Sequence, residues 1–156
     1  MPTAKLLLWT GGPGFIRDLP SFFRIELSNP DDRLETDRMA RILLAEDDDS
    51  LRGFLARALE RAGFEVTACA DGEEAVQHLD TAWDLLLTDI VMPGMDGIEV
   101  ARQAAARDPS LRIMFITGFA AVALSAQDRA PAGAKVLSKP VHLRDLVSEV
   151  EKMMAA

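Results

Sequence analysis

From Met39 onward, short apolar runs alternate with amphipathic stretches, and each apolar run stops at a polar or charged residue. Arg41-Ile-Leu-Leu-Ala45 is apolar at consecutive positions after Arg41, as a strand buried on both faces reads, and it ends at Glu46-Asp47-Asp48-Asp49. Leu51, Phe54, Leu55, Ala58 and Leu59 then fall at helical spacing. Ser50 is placed to cap this helix and Gly63 to end it. Residues 64–69 alternate in part and predict an outer strand. Asp71-Gly-Glu-Glu opens a second helix with acids in its first turn.

The run at residues 84–88 predicts a third strand, closed by a loop containing Pro93, Gly94 and Gly97. Residues 98–107 predict a third helix and 111–116 a fourth strand. A further helix is expected over 120–127, an alanine-rich stretch with Pro131 close behind. Residues 134–138 predict a fifth strand. A last helix carries Leu143, Leu146, Val147 and Val150 on one face, with Met153 and Met154 completing it. Five alternations of strand and helix predict an α/β fold, a doubly wound parallel sheet with helices on both faces.

Residues 1–38 show neither period. They hold four of the eight prolines, together with Gly11, Gly12 and Gly14. This segment is expected to be an irregular or disordered extension, with Met39 as the biological start and the preceding residues as mis-translated upstream sequence. Residues 39–156 then form one domain. Thr10-Gly-Gly-Pro-Gly14 lacks the Gly-Lys-Ser/Thr of a phosphate loop.

The formal net charge of −8 disfavours non-specific association with nucleic acid or anionic membranes. The single cysteine, Cys69, excludes an internal disulfide framework and fits a reducing, cytoplasmic setting; it is expected to be a small buried hydrophobe. No apolar run reaches the roughly 18 residues of a membrane helix, so no membrane insertion is expected. His78 and His142 lack ligand-spaced partners in the sequence.

The chemistry lies at the strand ends. Glu46 and Asp47 follow the first strand, Asp89 the third, Thr117 the fourth and Lys139 the fifth. In a parallel sheet all of them reach one edge, where such folds place their ligands. Clustered carboxylates there call for a cation, and Mg²⁺ takes oxygen ligands while keeping several waters. Acids, Mg²⁺, a hydroxyl and a lysine together suit phosphoryl transfer onto an aspartate. Asp48 and Asp49 are expected to cap the helix or support the site.

These motifs resemble the response-regulator receiver domain: Glu46-Asp47, Asp89 within Leu-Thr-Asp-Ile-Val-Met-Pro-Gly-Met-Asp-Gly97, Thr117 within Phe-Ile-Thr-Gly, and Lys139-Pro140. The resemblance implies a CheY-like, flavodoxin-like sheet of order 2-1-3-4-5. Asp89 would accept phosphate from a histidine kinase or histidine phosphotransferase. Asp47, Asp89 and the backbone carbonyl of Val91 would hold Mg²⁺, with Glu46 reaching it through water. Lys139 and Thr117 would contact the phosphoryl oxygens, and the Lys139-Pro140 bond is cis in many such domains.

Residues 117–124 and 135–147 resemble more closely a group of single-domain cell-cycle receivers, phosphorylation-switched adaptors that engage the ClpX unfoldase of the ClpXP protease. The alternative is a phosphorelay intermediate that only passes phosphate onward. No DNA-binding output is expected, because the residues after Leu143 all belong to the last helix. The family often carries an aromatic switch three residues before the lysine, and Phe after the Lys-Pro pair. Val136 and Val141 stand at these positions, so switching is expected to use Thr117 and the segment 119–132 instead.

Overall fold

A computed structural model of the chain describes residues 38–119, 125 and 128–156. Five parallel strands, β1 (Arg41–Ala45), β2 (Glu65–Cys69), β3 (Leu85–Asp89), β4 (Arg112–Thr117) and β5 (Lys135–Ser138), form one sheet in the order β2-β1-β3-β4-β5. The described helices are α1 (Asp49–Arg61), α2 (Gly72–Gln77), α3 (Gly97–Arg107) and α4 (Leu143–Ala155). The expected fold class and sheet order are therefore observed. The expectation for 1–38 lies outside the described residues except at Arg38, which pairs with Asp84 at 3.0 Å. The helix expected over 120–127 is described only at Ser125, which is helical.

Alternation along the central strands divides the core into two layers. Ile42, Leu44, Leu85, Leu87, Met114 and Ile116 face α1 and α4, where they meet Leu55, Leu59, Leu146 and Val150. Leu43, Ala45, Leu86, Ile113 and Phe115 face the other way, onto Ala75, Ile98, Ala101 and Ala104. Each fully buried Leu or Ile contributes about 1.5–3 kcal/mol, which makes the three middle strands a stiff platform. Cys69 is buried in the second layer, as expected. Met153 and Met154 pack against the first layer.

Of the caps expected for α1, Asp48 serves and Ser50 does not: the Asp48 backbone is extended (φ −74°, ψ 114°) and its carboxylate accepts from Leu51 N at 2.7 Å. The chain turns helical immediately at Asp49, so Ser50 is already inside the first turn. Phe54 is 55% exposed, because the inward stripe runs through Leu51, Leu55 and Leu59 and Phe54 sits about 100° off it. Its ring lies under the Arg57 guanidinium at 5.5 Å. Leu143, the first residue of α4, is likewise 39% exposed, while Leu146 and Val150 form the buried stripe.

Strand β3 runs one residue further than the apolar pattern indicated. Asp89 pairs in register with Ile116, and Ile90 N continues the ladder to Ile116 O at 3.3 Å. The return into α3 is then tight: Gly97 N donates to Ile90 O at 2.9 Å. A Cβ at Gly97 would lie 1.8 Å from Asp89 O and 3.0 Å from Thr88 Oγ1.

Gly97→Ala should therefore lower stability by at least the 1–3 kcal/mol typical of overpacking, about, since backbone must move. Phe54→Ser should stay within about 0.5 kcal/mol of wild type. Urea denaturation of both variants checks the contrast, and equal midpoints would contradict it.

Candidate functional site

The strand ends converge as the topology requires. Glu46 follows β1 and is buried, Asp89 closes β3 and is 6% exposed, and Thr117 closes β4 and is 1% exposed. Lys139 follows β5 and is anchored by its own N–H to Thr117 O at 2.8 Å. The Lys139-Pro140 peptide is cis. Lys139 Nζ lies 2.7 Å from Asp89 Oδ2 and 3.2 Å from Glu46 Oε2. One ammonium thus bridges two buried carboxylates.

Each carboxylate is also held by backbone. Glu46 Oε1 accepts from Asp48 N at 3.1 Å, while Arg52 Nη1 donates to Glu46 O at 2.8 Å. Asp89 Oδ1 accepts from Val91 N at 3.2 Å. Thr117 Oγ1 accepts from Phe119 N at 3.3 Å. Val91 and Phe119 thus meet the cluster through backbone, and their side chains are exposed. Asp47 is exposed, yet one of its carboxylate oxygens lies within 4.8 Å of oxygens from both Glu46 and Asp89.

Burial raises the Glu46 pKa above the usual carboxylate range, and the charge of Asp89 adds to this. The Asp48 N–H and Lys139 pull in the opposite direction. Burial alone would lower Lys139, but hydrogen bonding and charge from Asp89 and Glu46 outweigh it and raise its pKa. One ammonium against three carboxylates leaves an excess of negative charge at the sheet edge. The donor set is all oxygen, with one acid open to solvent, and this fits a hard divalent cation that retains water.

Glu46, Asp47, Asp89 and Lys139, all expected at the site from the sequence, come together at this edge, and Thr117 closes the adjacent strand β4. Val91 reaches it through its backbone N–H. Sequence reasoning missed the backbone donors at Asp48 and Phe119, which carry no side-chain signature. Val136 packs against the core and offers no ring there.

Residues 42–151 match the response regulator receiver domain family. The chain belongs to this family. Over 119 residues it is 62% identical to the response regulator receiver protein CpdR of Brucella abortus, covering 76% of this chain and 99% of that protein. It is 33% identical to the sensor kinase CckA of the same organism over 118 residues, which is 74% of this chain but 12% of CckA. Among solved structures, a response regulator receiver protein from Sinorhizobium medicae superposes with a TM-score of 0.72 at 34% identity. That match covers 76% of this chain and 97% of the other. Among the described residues no helix is long and apolar enough to cross a membrane.

The raised Glu46 pKa carries a sign. The folded state holds this proton more tightly than the unfolded chain does, so ionising Glu46 costs stability as pH rises from 4.5 through the folded value. In buffer free of divalent cations, Glu46→Gln should gain stability relative to wild type across that interval. Denaturation midpoints at a series of pH values measure this, and a difference independent of pH would contradict it.

Proposed function

We propose that this chain is a single-domain phosphorylation switch in a two-component phosphorelay, working in the cytoplasm, with Asp89 as the phosphoacceptor. The observation that carries the reading is Lys139 Nζ held between Asp89 and Glu46 at one strand edge. A carboxylate so placed is buried from competing water yet keeps a cation ready for an incoming anion.

The donor is a phosphohistidine on a histidine kinase or histidine phosphotransferase. An oxygen of Asp89 attacks phosphorus, the new O–P bond forms and the P–N bond breaks, and the imidazole leaves as a neutral base once protonated. Lys139 then shifts its ion pair from the bare carboxylate to a phosphoryl oxygen. The Thr117 hydroxyl and the N–H groups of Val91 and Phe119 are donors within reach of the same group. Asp47, Asp89 and the Val91 carbonyl would hold Mg²⁺, with Glu46 reaching it through water. When bound, the ion offsets charge on the transferring oxygens.

The output is a change in binding to a protein partner. The similarity to CpdR and to single-domain cell-cycle receivers supports an adaptor that presents the ClpX unfoldase with substrates for ClpXP. A chain that only relays phosphate would instead pass it from Asp89 to a histidine phosphotransferase faster than to water.

Asp89→Ala should abolish incorporation of labelled phosphate from a phosphodonor and Mg²⁺. It should still retain the unfoldase in a pull-down, whereas phosphorylated wild type loses it. Retention that is the same for both would overturn the adaptor reading, and labelling of Asp89→Ala would overturn the assignment of the acceptor. Val91 and Phe119, 46% and 61% exposed, cannot orient a hydrolytic water through their side chains. The phosphoryl group should therefore be long-lived, and the double variant Val91→Asn/Phe119→Glu should lose it faster. Equal decay rates, measured with labelled protein, would count against this.

A further inference from the structure

A second group of ligating side chains lies away from the acidic cluster. Cys69 ends β2, Glu74 lies on α2 and His78 caps the carboxyl end of α2. Cys69 Sγ, a Glu74 carboxylate oxygen and a His78 ring nitrogen all lie within 4.8 Å of one another. We propose that these three residues form a site for a borderline-soft divalent ion, Zn²⁺ in type, separate from the all-oxygen site at Asp89.

The donors suit such an ion. Zinc binds thiolate at about 2.3 Å and imidazole or carboxylate at about 2.0–2.2 Å, with water filling the fourth tetrahedral position. Glu74 and His78 are four residues apart and share one face of α2. Glu74 Oε2 accepts from Ala70 N at 2.7 Å, which fixes the carboxylate and leaves Oε1 for a ligand. Among the described residues, the His78 ring and the Cys69 sulfur make no hydrogen bond, so their lone pairs are available. Cys69 is buried, whereas Glu74 and His78 are half-buried and open a route from solvent.

The local charge favours a cation. The Cys69 thiol is pushed up to about 12, first by burial and then by the charges of Glu74 and Asp71, against a smaller opposing effect of Arg52. The carboxylates of Glu74 and Asp71 attract a divalent ion, which has to displace the thiol proton, so affinity rises with pH. On binding, the sulfur–metal bond forms and the thiol proton leaves to solvent. Softness separates the two sites: Mg²⁺ prefers the carboxylates at Asp47 and Asp89, and zinc prefers a site with sulfur and nitrogen. They are also linked, because Glu46 N donates to Cys69 O at 3.1 Å.

Titration of the metal-stripped full chain with Co²⁺ tests the site, because a thiolate ligand produces a charge-transfer absorption that oxygen ligands do not. The band should saturate at one ion per chain, be displaced by Zn²⁺ and resist excess Mg²⁺. It should vanish in Cys69→Ser and persist in Asp47→Asn. Affinity in His78→Ala and in Glu74→Gln should fall by at least the roughly 10-fold that loss of a supporting group costs, with circular dichroism confirming that each variant is folded. Absence of the band in wild type would overturn the proposal. So would a band whose affinity is unchanged in His78→Ala, which would mark a thiol binding alone.

Discussion

The ion pair from Lys139 to Asp89 and Glu46 is the contact on which the carboxyl edge of the sheet depends. Two carboxylates buried side by side are costly unless a cation lies between them. Here the cation comes from the end of a third strand. Strand β5 delivers it, and the Lys139 N–H to Thr117 O bond holds its backbone against β4. In the proposed phosphoryl transfer, the same ammonium that makes the buried acids tolerable would meet the incoming phosphoryl oxygen. Stability of the resting protein and readiness for an anion thus rest on one interaction.

Around this pair the fold supplies rigidity at the bottom and access at the top. The central strands are packed from both faces, so their ends are positioned by the whole core. The Gly97 turn closes directly over the Asp89 carbonyl, where any side chain would collide with backbone. By contrast, Asp47, Val91 and Phe119 stand at the rim and are exposed. In the proposed switch, a charge arriving at Asp89 would meet exposed groups at the rim above a strand packed on both faces. Val136 is partly buried against the packed layer and offers no ring, which leaves the Thr117 hydroxyl and the rim as the proposed route for a response.

Much of this was legible along the chain. Consecutive apolar residues in 41–45, 84–88 and 111–116 marked buried strands, and the first polar residue after each marked the functional edge. In a parallel sheet those end residues converge whatever the details of packing, so Glu46, Asp89, Thr117 and Lys139 could be grouped before any distance was known. Helical spacing fared less well at its margins. Phe54 fits the period of α1 yet faces solvent, because spacing reports a face but not how wide a stripe the sheet covers. Capping was open between Asp48 and Ser50, both competent, and only the backbone path out of β1 chose Asp48.

The sequence by itself determined the strand–helix alternation and the acids, hydroxyl and lysine of the edge, because those follow from local period and from the polarity of a parallel sheet. Only the tertiary structure decided which backbone N–H groups support them and that a single ammonium reaches both Asp89 and Glu46. It alone brought Cys69 beside Glu74 and His78; the four-residue spacing of the last two is visible in the chain, but the place of the cysteine beside them is not. The reason is geometric. Contacts between a strand end and the helix that follows it depend on how the connecting turn is folded, and side-chain reach across that turn is not written in the period of either element.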